Sequence, residues 1–157
     1  MVCSHGRLGR SSEKDKRLRR RATFLIPIAL LAPPASAQLV PFPATAGQVV
    51  FITPSMNIQC TFMPARQTGT YFLSSSGPEL SCDRFGPRYL RFVLGPIGPA
   101  HLFSVVADED CCGADNMLDF GMTWSEEPFT CRSAQKGLGC NREGHGFYIS
   151  KTVVLPY

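Results

Sequence analysis

Residues 129 to 142 read FTCRSAQKGLGCNR, two strand-like segments on either side of the turn sequence AQKG. With Ser133 facing Leu138 across that turn, antiparallel pairing places Cys131 directly opposite Cys140. Opposed residues of a non-hydrogen-bonded pair have Cα atoms about 4.5 Å apart, which is within the range of a disulfide. The stretch therefore predicts a β-hairpin closed by a Cys131–Cys140 disulfide.

The rest of the chain beyond residue 37 continues this pattern. Gly and Pro recur every few residues, and the short segments between them are rich in Val, Ile, Phe, Tyr and Thr. Apolar residues show no sustained helical period, so the sequence predicts an all-β fold, a small disulfide-stapled antiparallel sandwich or barrel. One helical turn is expected around Asp108 to Ala114. The predicted strands are Gln48 to Thr53, Asn57 to Phe62, Glu79 to Arg84, Tyr89 to Leu94, His101 to Val106, Phe129 to Ser133, Leu138 to Arg142 and Phe147 to Val154.

A second hairpin is predicted around a turn at Pro54 to Asn57, where antiparallel pairing places Phe51 opposite Cys60. Cys60 then needs a partner elsewhere, and we predict that it is Cys82, 22 residues along the chain. Adjacent cysteines such as Cys111-Cys112 bond to each other only through a strained ring and favour different partners. Six cysteines follow residue 37 and allow 15 connectivities, so bonds from Cys60 or Cys82 to that adjacent pair are an alternative.

The segment before Gln38 predicts export. Arg19 to Arg21 form a positive flank, Ala22 to Ala32 form an apolar run, and Ala35 to Ala37 read ASA, a small-residue cleavage site. The apolar run is shorter than the ~20 residues that a membrane-spanning helix needs, so we expect no membrane anchor after cleavage. Residues 1–37 are accordingly predicted to be a leader and signal peptide.

The remaining chain divides into a short linker, residues 38–48, and a single cysteine-stapled β domain, residues 49–157. Eight Lys/Arg and two Asp/Glu lie in the first 37 residues, which leaves eight Lys/Arg and ten Asp/Glu in the exported part. The exported part is therefore slightly acidic, which argues against a nucleic-acid partner. Cysteines after the cleavage site predict disulfides and a periplasmic or secreted location.

Five sequence blocks stand in order along the chain: FITPSMNIQC (51–60), LSCD (80–83), FTCRS (129–133), GLGCN (137–141) and GHGFYISK (144–151). Together they resemble a family of small exported bacterial proteins of unknown function. The resemblance covers most of the exported chain and implies an exported, cysteine-stapled domain with no catalytic residue to transfer. That family commonly has Gly where this chain has Met56, and usually one cysteine where this chain has Cys111-Cys112.

His145 and Trp124 are the candidate ligand-binding residues. His145 lies between two glycines at a predicted hairpin tip, where an exposed imidazole could exchange protons near neutral pH. The alternative is that the glycines supply the turn geometry and the histidine is tolerated. Ser150 lies five residues along the chain and is a possible nucleophile. A Ser–His pair needs a third group to orient it, and the sequence shows no candidate for that group. Trp124 suits either a core position or a ligand patch, and burial in the core is favoured.

The sequence does not favour a metal site or a redox site. The acidic run Asp108 to Asp110, with Asp115 and Asp119, lacks the spacing of an EF-hand loop, so a solvated loop is expected. Cys111-Cys112 lacks the C-x-x-C spacing of redox and zinc pairs. We expect no metal and no cofactor.

These observations favour a non-catalytic binding or inhibitory module of the bacterial envelope. Its partner would be an envelope or extracellular protein or a glycan. The alternative is a small hydrolase or metal-dependent enzyme that uses His145 with a nearby carboxylate, Glu143 or Asp83.

Overall fold

The computed structural model describes residues 38–65, 76–106 and 113–157, and these ranges contain strands and turns but no helix. They belong to one compact unit. The strands are β1 (Val49–Ile52), β2 (Ile58–Met63), β3 (Glu79–Arg84), β4 (Leu90–Leu94), β5 (His101–Phe103), β6 (Asn116–Met117), β7 (Thr123–Glu126), β8 (Phe129–Ala134), β9 (Gly137–Arg142), β10 (His145–Ile149) and β11 (Val154–Pro156).

The strands form two sheets that pack face to face as a β-sandwich. The first sheet has the order β5-β4-β3-β2-β1-β6, and the second has the order β11-β10-β9-β8-β7. Every pairing is antiparallel except that of β1 with β6. Strands β1 to β5 thus form one antiparallel meander and β7 to β11 another, while β6 joins the first sheet beside β1 through a crossover. The predicted all-β antiparallel fold is confirmed.

Each sheet carries a transverse row of four buried residues, one on each of four neighbouring strands. The two middle residues of each row are cysteines and the two outer ones are aromatic, and each of the eight side chains is at most 1% exposed. Because side chains alternate between the faces of a strand, a directly opposed row points to one face, and here that face is the core. The first row is Phe51, Cys60, Cys82 and Phe92; the second row is Trp124, Cys131, Cys140 and Phe147.

The two rows stack on each other across the core. Phe51 packs on Trp124 with ring centroids 5.0 Å apart, and Phe92 stacks on Phe147 at 4.5 Å and 7°. Between these aromatic pairs, the sulfur atom of Cys140 lies within 4.8 Å of both sulfurs of the first row. Sulfur and aromatic rings therefore form the centre of the sandwich.

Two disulfides join strands within the rows. Cys60–Cys82 and Cys131–Cys140 each have a Cα–Cα distance of 4.1 Å, and both confirm the predicted pairings. The predicted register around each hairpin is also confirmed, with Phe51 opposite Cys60 and Ser133 opposite Leu138. Cys111-Cys112 and most of the predicted helical turn at Asp108 to Ala114 lie outside the described residues.

The strand predictions differ from the structure in four places, one of which is β6, a strand that the sequence does not predict. The segment predicted as one strand, Phe147 to Val154, is two strands, because the Ser150 side chain accepts hydrogen bonds from the backbone of residues 152 and 153 and turns the chain. Strand β7 was not predicted, although Trp124 on it supplies a large part of the core. Strand β5 ends at Phe103 and not at Val106.

Residues 38–48, predicted to be a linker, pack against the domain. The Val40 amide donates to the Thr123 carbonyl at 2.8 Å, and the Thr123 amide donates to the Gln38 carbonyl at 2.9 Å. The ring of Phe42 lies 5.7 Å from that of Phe51. The folded unit therefore includes this segment and extends to Gln38.

Candidate functional site: a cleft at one end of the sandwich

Four connections meet at one end of the sandwich, because β1, β3, β8 and β10 all end there. They are the β1–β2, β3–β4, β8–β9 and β10–β11 turns, two from each sheet. Together with the segment before β7 they enclose an open cleft of about 530 Å³. The cleft is lined by Thr53, Ser55, Asn57, Ile58, Gly86, Pro87, Phe120, Ala134, Gln135, Lys136, Gly137, Ser150 and Lys151.

Hydrogen bonds hold the walls of the cleft in place. The Asn57 amide nitrogen donates to the Gly86 carbonyl at 2.9 Å, and the Gly86 amide donates back to the Asn57 side-chain oxygen at 2.8 Å. Thr53 and Ser55 hydroxyls bond to each other at 3.0 Å. Ser150 caps its own turn, as described above. These polar groups already have partners and act as supports for the cleft.

Glycine allows the β8–β9 hairpin to approach β10 closely at this end. A Cβ atom on Gly137 would lie 2.6 Å from both the Ile149 carbonyl oxygen and the Tyr148 hydroxyl. That distance is far inside van der Waals contact, so a side chain cannot be accommodated without moving the backbone. Gly137 thereby fixes the position of Gln135 and Lys136 at the tip of the hairpin.

The polar groups that are available to a ligand are cationic or amide. Within the described residues, the side chains of Gln135, Lys136 and Lys151 make no hydrogen bond or ion pair. None of the described residues that line the cleft is acidic. Phe120, which is 44% exposed, adds an aromatic surface. The cleft thus combines free hydrogen-bond donors with an apolar wall, as ligand sites commonly do.

Arg84 lies close to this cleft and is only 5% exposed. Its guanidinium donates to the Ser150 carbonyl at 2.9 Å and to the Arg88 carbonyl at 3.3 Å. Burial lowers the pKa of Arg84 below its ordinary value, but a guanidinium stays charged in proteins. Its described partners are neutral carbonyls, so its charge adds to that of the two lysines.

His145 lies at the opposite end of the sandwich, at the start of β10. It is not at a hairpin tip: it pairs with Arg142, and Glu143 and Gly144 form the turn. Among the described residues, the side chain of His145 makes no hydrogen bond or ion pair. Ser150 follows the end of the same strand, about 16 Å away at about 3.3 Å per residue, so the two cannot form a nucleophile and base.

Glu143 and Asp83, the carboxylates predicted as possible partners of His145, each lie near an arginine instead. Glu143 is 78% exposed and lies 3.7 Å from Arg142. Asp83 follows inward-facing Cys82 on β3 and therefore faces away from the second sheet. There it pairs with Arg91 at 2.7 Å. The described residues thus provide no acid–base pair around His145.

Trp124 is 1% exposed and belongs to the core. It contacts Phe51 and, with ring centroids 5.8 Å apart, Phe62. Of the two candidate ligand-binding residues, only His145 therefore offers surface to solvent. Trp124 determines how the two sheets pack.

Only one group of His, Cys, Asp or Glu side chains in the described ranges is close enough to share a metal ion. It consists of Cys60, Cys82 and Cys140, whose sulfur atoms lie within 4.8 Å of one another. All three are in disulfides. A disulfide sulfur is not the thiolate that binds metals, so this cluster is structural in the oxidised protein.

Lys136, Lys151, Gln135 and Phe120 were not predicted to form a site. They lie on three separate connections and share no motif, so no spacing in the sequence relates them. A weak signal exists, because Lys136 and Lys151 are the only lysines after residue 37. Their convergence depends on how the two sheets pack.

The chain matches no family model, no curated protein and no solved structure. Its described residues include no helix long and apolar enough to cross a membrane. The two disulfides indicate an oxidising, non-cytoplasmic location.

Proposed function

We propose that the protein is an exported, non-catalytic binding module of the bacterial envelope, periplasmic or secreted, and that it binds its partner through the cleft. The observation that carries this proposal is the cleft itself. Turns from both sheets hold free donor groups around an open cavity, and the described residues provide no nucleophile–base pair there. A rigid β scaffold that presents loops at one end is a common basis for recognition.

Export is supported by two observations and agrees with the expected family resemblance. The leader has a basic flank, an apolar run and the cleavage sequence ASA. The two disulfides need an oxidising compartment. The sequence blocks resemble exported bacterial proteins. An inhibitory role, in which the loops occupy the site of an envelope enzyme, is one form of the proposed binding function.

Affinity capture from an envelope fraction tests the proposal. The full chain is expressed with its leader, and the recovered protein is alkylated without reduction and weighed; a mass that begins at Gln38 is expected. The recovered protein is then used as bait. Ala134→Trp, which fills the cleft, should abolish capture of the partner, whereas Arg132→Trp should not. Arg132 is the matched control because it lies exposed on the same strand, outside the cleft.

Capture of the same partner by both variants would exclude the cleft as the binding site. Failure of the wild-type protein to capture any envelope protein or glycan above background would contradict the binding function itself.

A further inference from the structure

The charged side chains that line the cleft are all cationic. Lys136 and Lys151 line it, buried Arg84 lies close by, and none of the described lining residues is acidic. The exported part as a whole is slightly acidic, with eight Lys/Arg and ten Asp/Glu. A local excess of positive charge on an acidic protein points to an anionic ligand at that place.

Arg84 provides an observation independent of the lysines. Burying a charge is costly unless an opposite charge compensates it. Arg84 is 5% exposed, and its described hydrogen bonds go to the carbonyl groups of Ser150 and Arg88. Ser150 also lines the cleft, so an anion bound there would lie near the guanidinium and compensate its charge.

The remaining free groups indicate the kind of anion. Phe120 offers an aromatic surface, and Gln135 offers an amide that can donate to and accept from hydroxyl groups. The C–H groups of a sugar ring pack against the negative face of an aromatic ring, and sugar hydroxyls bond to amides. A small inorganic anion would use the lysines and leave Phe120 and Gln135 without a role.

We infer that the cleft binds an acidic saccharide, with Lys136 and Lys151 pairing with its carboxylate or sulfate groups and Phe120 contacting a sugar ring. This inference rests on the proposed function and specifies the ligand class of the same cleft. Nucleic acid is disfavoured, because the cations form one compact group and not a stripe that could follow a phosphate backbone.

Titration calorimetry with defined probes tests the inference. The probes are an oligogalacturonate, a heparin hexasaccharide, a neutral galactan oligosaccharide, inorganic phosphate and a single-stranded oligonucleotide. We expect at least one acidic saccharide to bind about tenfold more tightly than the neutral one, with affinity that falls as salt rises. Phosphate and the oligonucleotide should bind more weakly than that saccharide.

Variants assign the binding to the cleft. Lys136→Gln with Lys151→Gln should weaken the acidic saccharide about tenfold, whereas the same two positions changed to Arg should retain it. Phe120→Ala should weaken the acidic and the neutral saccharide alike. Arg132→Gln removes one exposed cation outside the cleft and is the control for loss of a surface charge elsewhere; it should bind as the wild type does. Equal melting temperatures of all variants show that the fold is kept.

The outcomes separate this inference from the proposed function. If the neutral saccharide binds as tightly as the acidic ones, or the oligonucleotide binds best, the acidic-saccharide inference is wrong. If no saccharide binds while Ala134→Trp still abolishes envelope capture, the ligand class is wrong and the binding function stands. If no saccharide binds and Ala134→Trp leaves envelope capture unchanged, both the acidic-saccharide inference and the proposed binding function are contradicted.

Discussion

Both sheets contain a row of two cysteines between two aromatic residues, but the chain connection between the cysteines differs in length. In the second sheet, Cys131 and Cys140 lie on strands joined by a two-residue turn, and 9 positions separate them. In the first sheet, Cys60 and Cys82 are separated by 22 positions, with residues 64–78 between their strands. Both routes bring the cysteines to a Cα–Cα distance of 4.1 Å. The row, and not the connection, is therefore the shared structural unit.

The likeness extends beyond the cysteines. Cys82 and Cys140 are each followed, two residues later, by a buried arginine, Arg84 or Arg142. Each arginine donates to a backbone carbonyl of the other sheet, Arg84 to Ser150 and Arg142 to Gly98 at 2.7 Å. One arginine lies at each end of the sandwich. The two ends differ in that the cleft described above lies at the Arg84 end, where Lys136 and Lys151 lie.

The largest effect is expected at the stacked aromatic pair that joins the two rows. Phe92→Ala and Phe147→Ala should each lower the free energy of unfolding by about 3 to 5 kcal/mol, because each leaves a cavity in a closed core. A double-mutant cycle should show a coupling of about 0.5 to 1.5 kcal/mol. Denaturant unfolding measures both. Phe51 and Phe147 lie at opposite ends of their rows and form the control pair; equal coupling in that pair would contradict a direct stacking contribution.

Removal of each disulfide tests whether the length of the connection between its cysteines affects the free energy of unfolding. Removing Cys60–Cys82 by a double change to Ala should cost about 3.4 kcal/mol of loop entropy, and removing Cys131–Cys140 about 2.6 kcal/mol. The cavity left by two sulfurs is common to both variants, so the difference of about 0.8 kcal/mol reports the loop alone. Unfolding of the two variants by denaturant under identical conditions gives that difference. A larger loss for Cys131–Cys140 would show that strand pairing, and not chain entropy, dominates.

The two buried arginines should contribute unequally to the free energy of unfolding. Arg84→Met should destabilise the domain by about 2 to 3 kcal/mol, because it removes bonds to two carbonyls and leaves those acceptors in a buried region. Arg142→Met should cost about 1 to 2 kcal/mol, since Arg142 makes one short bond and its Nε has no partner among the described residues. Thermal unfolding of both variants measures the order, and the reverse order would contradict it.

The smallest effect is expected at two of the three described positions where a non-glycine residue lies in the left-handed region. Met56 has φ 54° and Glu143 has φ 43°. Met56→Gly and Glu143→Asn should each raise the free energy of unfolding by about 0.5 to 1 kcal/mol. Met56→Ala keeps the Cβ atom and is the control that should bring no gain. Chemical denaturation resolves these changes, and an equal gain from Ala would show that backbone conformation is not the cause.

Local features of the fold could be predicted from the sequence. The turn AQKG between two short strands defines the register that places Cys131 opposite Cys140, and the turn at Pro54 to Asn57 does the same for Phe51 and Cys60. Both depend on neighbouring residues only. Strand β7 could not be predicted, because its four residues lack a pattern and gain their stability from the burial of Trp124.

The candidate site was beyond prediction for a related reason. Lys136 and Lys151 each occupy an ordinary turn, and Phe120 lies before a strand that was not predicted. Nothing local distinguishes these residues from other exposed ones. The two glycines that flank His145 predict a hairpin tip. In the structure Gly144 belongs to the turn and Gly146 to strand β10.

The sequence by itself determined most of the strand-and-turn pattern, the registers of the two hairpins and the Cys131–Cys140 disulfide, because each follows from side-chain alternation and short-range pairing. For Cys60 the sequence left alternatives open, and the structure selected Cys82 as its partner. Only the tertiary structure decided that the two rows stack on each other and that four turns converge at one end. Those features depend on how two separately formed sheets pack, and packing is set by the combined shape of side chains far apart in the chain.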